Sequence, residues 1–252
     1  MTSPADMPSA PGPETPKPPE MPEPHGALRT ALCELAGVRY PIVQTGMGWV
    51  AGPRLVAATA QAGALGFLAS ATMTLEQLAA AVAEVKARTN APFGVNMRTD
   101  SADAAQRVKL LTDEGVRVAS FAQAPGPELV RSLQKSGAPV IYFGTDTTAL
   151  LPSMSRTGAE VIGLDWRVPL DQGWKMLAEG SAVQGNLDPV LLFADGKELR
   201  SRARDILERA AGRPGHIFNL GHGILPETPV ENVKALAQFV QEHSAKATSA
   251  TR

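Results

Sequence analysis

Residues 63–89, GALGFLASATMTLEQLAAAVAEVKART, read as one strand followed by one helix. Leu65 to Ser70 is a short apolar run entered through glycine, the form of a parallel strand buried on both faces. From Thr74 the period changes. Leu75, Leu78, Ala79, Val82 and Val85 recur three and four residues apart, which places them on one face of a helix. Thr74 with Gln77 three residues on is a capping box, each side chain meeting an exposed amide of the other. The same unit repeats in both directions. Strand candidates are 40–45, 65–70, 92–97, 116–121, 139–144, 160–165, 181–186 and 215–220. Helix candidates are 53–63, 74–89, 102–114, 126–136, 147–158, 171–179, 197–211 and 228–244, the last with Thr228 as N-cap, Pro229 at N1 and Glu231 at N3. Eight such units predict an α/β fold, a (β/α)8 barrel with its site at the C-terminal ends of the strands. An open doubly wound sheet is the alternative. No Gly-x-Gly-x-x-Gly fingerprint follows the first strand, and Gly46 and Gly48 alone do not argue for a dinucleotide.

Composition narrows the function classes. The 252 residues are 44% hydrophobic and 19% charged, with a net charge of −1. That balance gives no electrostatic case for nucleic acid or an anionic membrane, and no apolar run is long enough to span a bilayer. The single Cys33 excludes an internal disulfide framework and a multi-cysteine metal site, and it fits a reducing cytosol. Residues 1–26 hold nine of the 21 prolines, four acids and one lysine, without the apolar core of a secretory signal. We expect a disordered or polyproline-like tail there, and a second frayed tail over 246–252.

The residues that could carry chemistry stand at expected strand ends. His222 lies just past the eighth strand between Gly221 and Gly223, where a side chain can face the barrel mouth as a proton donor or carboxylate partner. Asp165 and Asp188 follow the sixth and seventh strands. Asp188, ahead of Pro189, reads as a cap for the following helix, and Asp165 as a residue that either orients loops or touches substrate. An Asp165–His222 acid–base pair across the mouth is one arrangement open to them. His216, on the eighth strand itself, reads as structural. His-Glu-x-x-His, Walker and nucleophile-elbow motifs are absent, so no metal is expected.

Residues 27–136 resemble the N-terminal half of the nitronate monooxygenases, through Arg39-Tyr40-Pro41-Ile42-Val43-Gln44-Thr45-Gly46-Met47-Gly48, the run Ala62–Ser70, and Pro92-Phe93-Gly94-Val95-Asn96-Met97. That family is a barrel that uses FMN to oxidise alkyl nitronates. The resemblance implies that Gly46 and Met47 pack on the flavin ring and that Asn96 bonds its edge. The glycine-rich phosphate loops and catalytic histidine that the family carries in its second half have no counterpart here.

Residues 137–245 resemble the C-terminal half of uroporphyrinogen decarboxylase, through Pro139–Thr145, Gly163-Leu164-Asp165-Trp166, Gln184–Pro189, Asn219-Leu220-Gly221-His222-Gly223 and Pro226–Val233. That family is also a (β/α)8 barrel, usually a homodimer, needs no cofactor, and removes carboxyl groups from the acetate side chains of a porphyrinogen. The resemblance implies that His222 lines the substrate pocket. The family's Met-Arg-Gln-Ala-Gly-Arg segment and pyrrole-binding aspartate are absent from residues 1–136.

Together these readings predict one barrel built from two heterologous half-barrels, joined near Gly137–Ile141 just before the fifth strand. The catalytic candidates are His222 and Asp165, and the cofactor-binding candidates are Gly46, Met47 and Asn96. Expected ligands are a porphyrinogen with no cofactor, or else a nitronate with FMN; a catalytically inert fusion is the third reading. The seams to watch are the fourth strand against the fifth and the eighth against the first.

Overall fold

The computed structural model describes residues 30–250, with side chains as far as Ser244. The Pro-rich segment 1–26 lies outside the described residues, as do 251–252 at the end of the expected second tail. A short helix not anticipated from the sequence, α1 (Ala31–Ala36), comes first. Then follow β1 (Val43–Gln44), α2 (Pro53–Gln61), β2 (Leu65–Ala69), α3 (Leu75–Arg88), β3 (Phe93–Met97), α4 (Ala104–Asp113), β4 (Val118–Phe121) and α5 (Pro127–Lys135). The second half continues with β5 (Val140–Phe143), α6 (Leu151–Ser155), β6 (Val161–Gly163), α7 (Leu170–Lys175), β7 (Ala182–Leu187), α8 (Gly196–Ala210), β8 (His216–Leu220) and α9 (Val230–Ala250).

The eight strands pair in chain order, all parallel, as one curled sheet of TIM-barrel type with the helices outside it. The inward face is filled. Val43, Leu65, Phe67, Val118, Ile141, Val161, Ala182 and Ile217 converge, and Leu32, Ala36 and Val38 pack against them. β3 contributes Gly94 to this region: a Cβ there would sit 2.7 Å from Cδ1 of Phe67, so the absent side chain is what admits the ring. Helix stripes such as Leu78, Val82 and Val85 of α3 cover the outer face, as their spacing predicts.

The two seams behave differently. β4 and β5 are fully laddered, with Ala119 opposite Val140, Ser120 opposite Ile141 and Phe121 opposite Tyr142. Among the described residues no ladder joins β8 to β1. β1 has two residues rather than the six expected, because Pro41 has no amide to donate and the chain turns there through a bond from Ile42 N to Tyr40 O. Every residue of β8 is only half-buried.

Local signals fared unevenly. The α3 capping box is present in both directions, Gln77 N donating to Thr74 Oγ1 at 3.2 Å and Thr74 N to Gln77 Oε1 at 2.9 Å. The expected cap of α9 is corrected: the helix starts at Val230, the Pro229 carbonyl accepts from Asn232 and Val233, and Thr228 Oγ1 is buried without a hydrogen bond. Arg107 of α4 is buried and ties the β2–α3 loop down. Its guanidinium donates to Asp103 Oδ1 at 2.8 Å, Ser70 O at 3.1 Å and Met73 O at 2.6 Å. The Arg107 guanidinium, with the Ser101 hydroxyl, holds the Asp103 carboxyl down at about 2.

Candidate functional site

The mouth of the second half is organised by Asp165, two residues past β6. Its side chain is 1% exposed. Oδ1 accepts from Arg167 N at 2.9 Å, and Oδ2 accepts from Arg167 Nη1 at 3.1 Å and from Asp146 N. Its carbonyl, with that of Val168, receives the buried amide of Asn186 on β7 at 2.8 and 2.6 Å. The β5 and β6 loops are thereby locked to one carboxylate, and β7 is tied to the backbone of the same β6 loop. A charge buried so deeply is tolerable only because each oxygen is met by donors.

His222 is exposed, past the end of β8. Its approach depends on Gly221, where a Cβ would overlap the amide nitrogen of Trp166. Close backbone contact brings the histidine ring edge-on to the Trp166 indole, 6.1 Å between centroids. The guanidinium of Arg167 lies over the same indole at 4.0 Å. The mouth therefore carries two nitrogen-rich groups against one indole. No hydrogen bond joins Asp165 to His222 among the described residues; the structure brings both to one corner, with the carboxylate turned into the loops and the imidazole turned toward solvent.

Two other residues show what their expectations came to. Asp188 caps, but it caps a short turn rather than the following helix, whose cap is Asp195. Asp188 accepts from Val190 N at 2.9 Å, capping the turn that follows it. His216 Nε2 lies 2.9 Å from Gly185 O, and burial pushes its imidazole below the usual histidine value. The sequence reading gave no role to Arg167 or Asn186. The signal that could have found Arg167 is its position two residues past an aspartate and next to a tryptophan at a strand end, where a cation gains from both.

In the first half, Gly46 and Asn96 are neighbours: a Cβ on Gly46 would lie 2.6 Å from Asn96 Cβ. Asn96 Nδ2 donates to Ser120 Oγ at 2.9 Å, and its carbonyl accepts from Ser70 Oγ at 2.8 Å. Met47 turns the chain, its carbonyl accepting from Val50 and Ala51. A cleft of about 320 Å³ opens beside them, lined by Trp49, Ala51, Gly52, Ala69, Thr72, Met73 and Gln77. Trp49 is 89% exposed and held at a φ of 66°. Gly46, Met47 and Asn96 do not line this cleft.

The helix starts after β1 and β7 offer few open amides to a flavin phosphate. A flavin phosphate needs open amides, commonly at a helix N-terminus. The amides after β7 are already held by the chain's own carboxylates: Asp188 takes Val190 N, and Asp195 takes Lys197 N and Glu198 N at 2.8 and 2.9 Å. α2 begins with a proline, which lacks a donor. Among the described residues no group of three or more metal-binding side chains occurs, and no helix is long and apolar enough to cross a membrane.

Three comparisons give the geometry its context. A uroporphyrinogen decarboxylase of Koribacter versatilis is 70% identical over 120 residues, 47% of this chain and 34% of that protein. A hydroxy-methyl-oxo-octahydro-indene-carboxyl-CoA dehydrogenase of Mycobacterium tuberculosis is 65% identical over 114 residues, 45% of this chain and 32% of that protein. The solved structure of FabK from Thermotoga maritima superposes with a TM-score of 0.60 at 25% identity, covering 76% of this chain and 61% of that one. The chain thus spans about a third of the length of the curated relatives it matches. The profile of the family described as uroporphyrinogen decarboxylase (URO-D) matches residues 47–243, well over half of the sequence, and the chain belongs to that family.

Proposed function

We propose that this protein binds a porphyrinogen or a similar polycarboxylate at the mouth of β6–β8 and has impaired or no decarboxylase turnover. The observation that carries this reading is the pairing of His222 with Arg167 on the Trp166 indole, at the strand ends where barrels of this type hold substrate. His222 is the residue to hold a carboxylate or supply a proton. Asp165 is committed to three donors and serves to fix the loops. The cationic and pyrrole-binding motifs expected of the family's first half are absent from residues 1–136, which is why turnover is not expected to survive. The 27–136 and 137–245 segments are read as two half-barrels of separate origin. In support, the decarboxylase relatives match over the C-terminal part, and a differently named relative reaches 65% identity over less than half of the chain; the family profile, which runs from 47 to 243 across the junction, weighs against it.

The test is uroporphyrin binding by the purified protein, followed by uroporphyrinogen decarboxylation with product analysis. Binding that weakens at least tenfold in His222→Ala, with negligible carbon dioxide release, is the expected result. Equal binding by wild type and His222→Ala would remove His222 from the site.

A second reading, an FMN-dependent nitronate oxidoreductase, draws on the likeness to FabK and on the contact between Gly46 and Asn96. The helix starts already capped by Asp188 and Asp195 weigh against it. The absorption spectrum of the protein after adding FMN decides: a shifted, protein-bound flavin band favours this reading. If neither ligand binds, the protein is an inert fusion.

A further inference from the structure

The side chain of Arg167 is 43% exposed while its partner Asp165 is 1% exposed, so one edge of the guanidinium faces inward and the rest faces the mouth. The inward edge is fixed at two points. Nη1 donates to Asp165 Oδ2 at 3.1 Å, and the guanidinium plane rests on the Trp166 indole at 4.0 Å. No other hydrogen bond from this guanidinium is made among the described residues. An arginine so held has lost its rotamer freedom before any ligand arrives, which removes much of the ordering penalty of binding. Its forked donors match a carboxylate, and His222 stands at the edge of the same ring.

We propose that Arg167 is a carboxylate-binding residue, mounted rigidly by Asp165 and Trp166 and paired with His222 across one indole to grip a ligand bearing two or more carboxylates. Asp165 is then a positioning residue that acts through Arg167. Asp165 neutralises the arginine at long range, and the exposed Asp146 lies beside it, so the site recognises its ligand by directed hydrogen bonds more than by attraction at a distance. Binding should accordingly depend only shallowly on salt.

The proposal uses the same mouth as the porphyrinogen reading but needs only its carboxylates, and two probes separate the ideas. Uroporphyrin tests the tetrapyrrole, and benzenehexacarboxylate tests a rigid polycarboxylate without pyrroles, both by calorimetry on the full chain. Arg167→Met is expected to weaken whichever probe binds by about tenfold or more, and Arg167→Lys to regain little of it, since an ammonium offers no fork. Asp165→Asn should weaken binding on its own yet add nothing in the Arg167→Met background, a coupling that a merely structural role would not produce. Far-UV circular dichroism and thermal unfolding check that the variants keep the native fold. Arg167-dependent binding of benzenehexacarboxylate without uroporphyrin binding would sustain the mount and overturn the porphyrinogen reading. Uroporphyrin binding unchanged in both Arg167 variants would overturn the mount and leave that reading standing. Binding of neither probe overturns both.

Discussion

Single atoms decide two features of this protein. Gly94 lacks the side chain that would strike Phe67, whose ring occupies the inward face instead. Because that ring is rigid and walled by other strands, Gly94→Ala should destabilise the fold by roughly 1–3 kcal/mol, the usual range for overpacking. Urea unfolding checks it, and Phe67→Leu in the same chain should recover part of the loss. His216 gives a second residue-level expectation. Its imidazole, buried against Gly185 O, titrates below the ordinary value of 6.5, so the unfolded chain takes up the proton first. Its contribution to stability is complete above about pH 6.5 and is lost as the pH falls from there through the lowered folded value. Melting temperatures between pH 8 and pH 5 should decline for the wild type and decline less for His216→Gln; parallel curves would exclude the histidine as the cause. Residue chemistry was legible in advance at Asp188, whose partner Val190 is two residues on; for His216 a structural role was legible but its partner Gly185, far off in the chain, was not. Arg167 was not read, although Asp165 and Trp166 are its neighbours in sequence, because only the fold of the loop lays its guanidinium over the indole and against the carboxylate.

At the scale of elements, helix starts provide a matched pair of tests. Thr74 closes the capping box of α3, and Thr74→Ala should lower stability by about 1 kcal/mol. Thr228 carries the same sequence signal but caps nothing, its Oγ1 buried and unbonded. Thr228→Val keeps the shape and removes the unmet hydroxyl, so it should be neutral or slightly stabilising. Thermal unfolding of the two variants side by side distinguishes them; equal losses would mean that Thr228 caps α9 after all. The order and type of the long elements were readable from periodicity, and boundaries moved by only a few residues in most of them. Two short pieces were not: α1, of six residues, was not anticipated, and β1 is cut to two by the missing amide of Pro41. Such pieces owe their existence to packing against the sheet, which local sequence does not encode.

Across the whole molecule, the β4–β5 seam is laddered and the β8–β1 seam is not. An open edge exposes amides that a closed barrel would pair, and local opening is easiest where the ladder ends. Amide hydrogen exchange should therefore release the outer-edge amides of β8 and those of β1 well before Ala119, Ile141 or Tyr142. Protection of β8 equal to that of β5 would show that the barrel is closed in solution. The sequence alone determined the eightfold alternation of strand and helix, and with it the barrel type, because hydrophobic period and turn residues are local properties of the chain. It also marked His222 and Asp165 as residues of one mouth, since strand ends in this fold share a face. Only the tertiary structure decided that Asp165 faces inward to three donors while His222 faces out over Trp166, and that the sheet stops short of joining its own ends. Those outcomes depend on backbone approaches such as Gly221 against Trp166 and on pairings between segments far apart in the chain. No window of sequence contains both partners of such a contact.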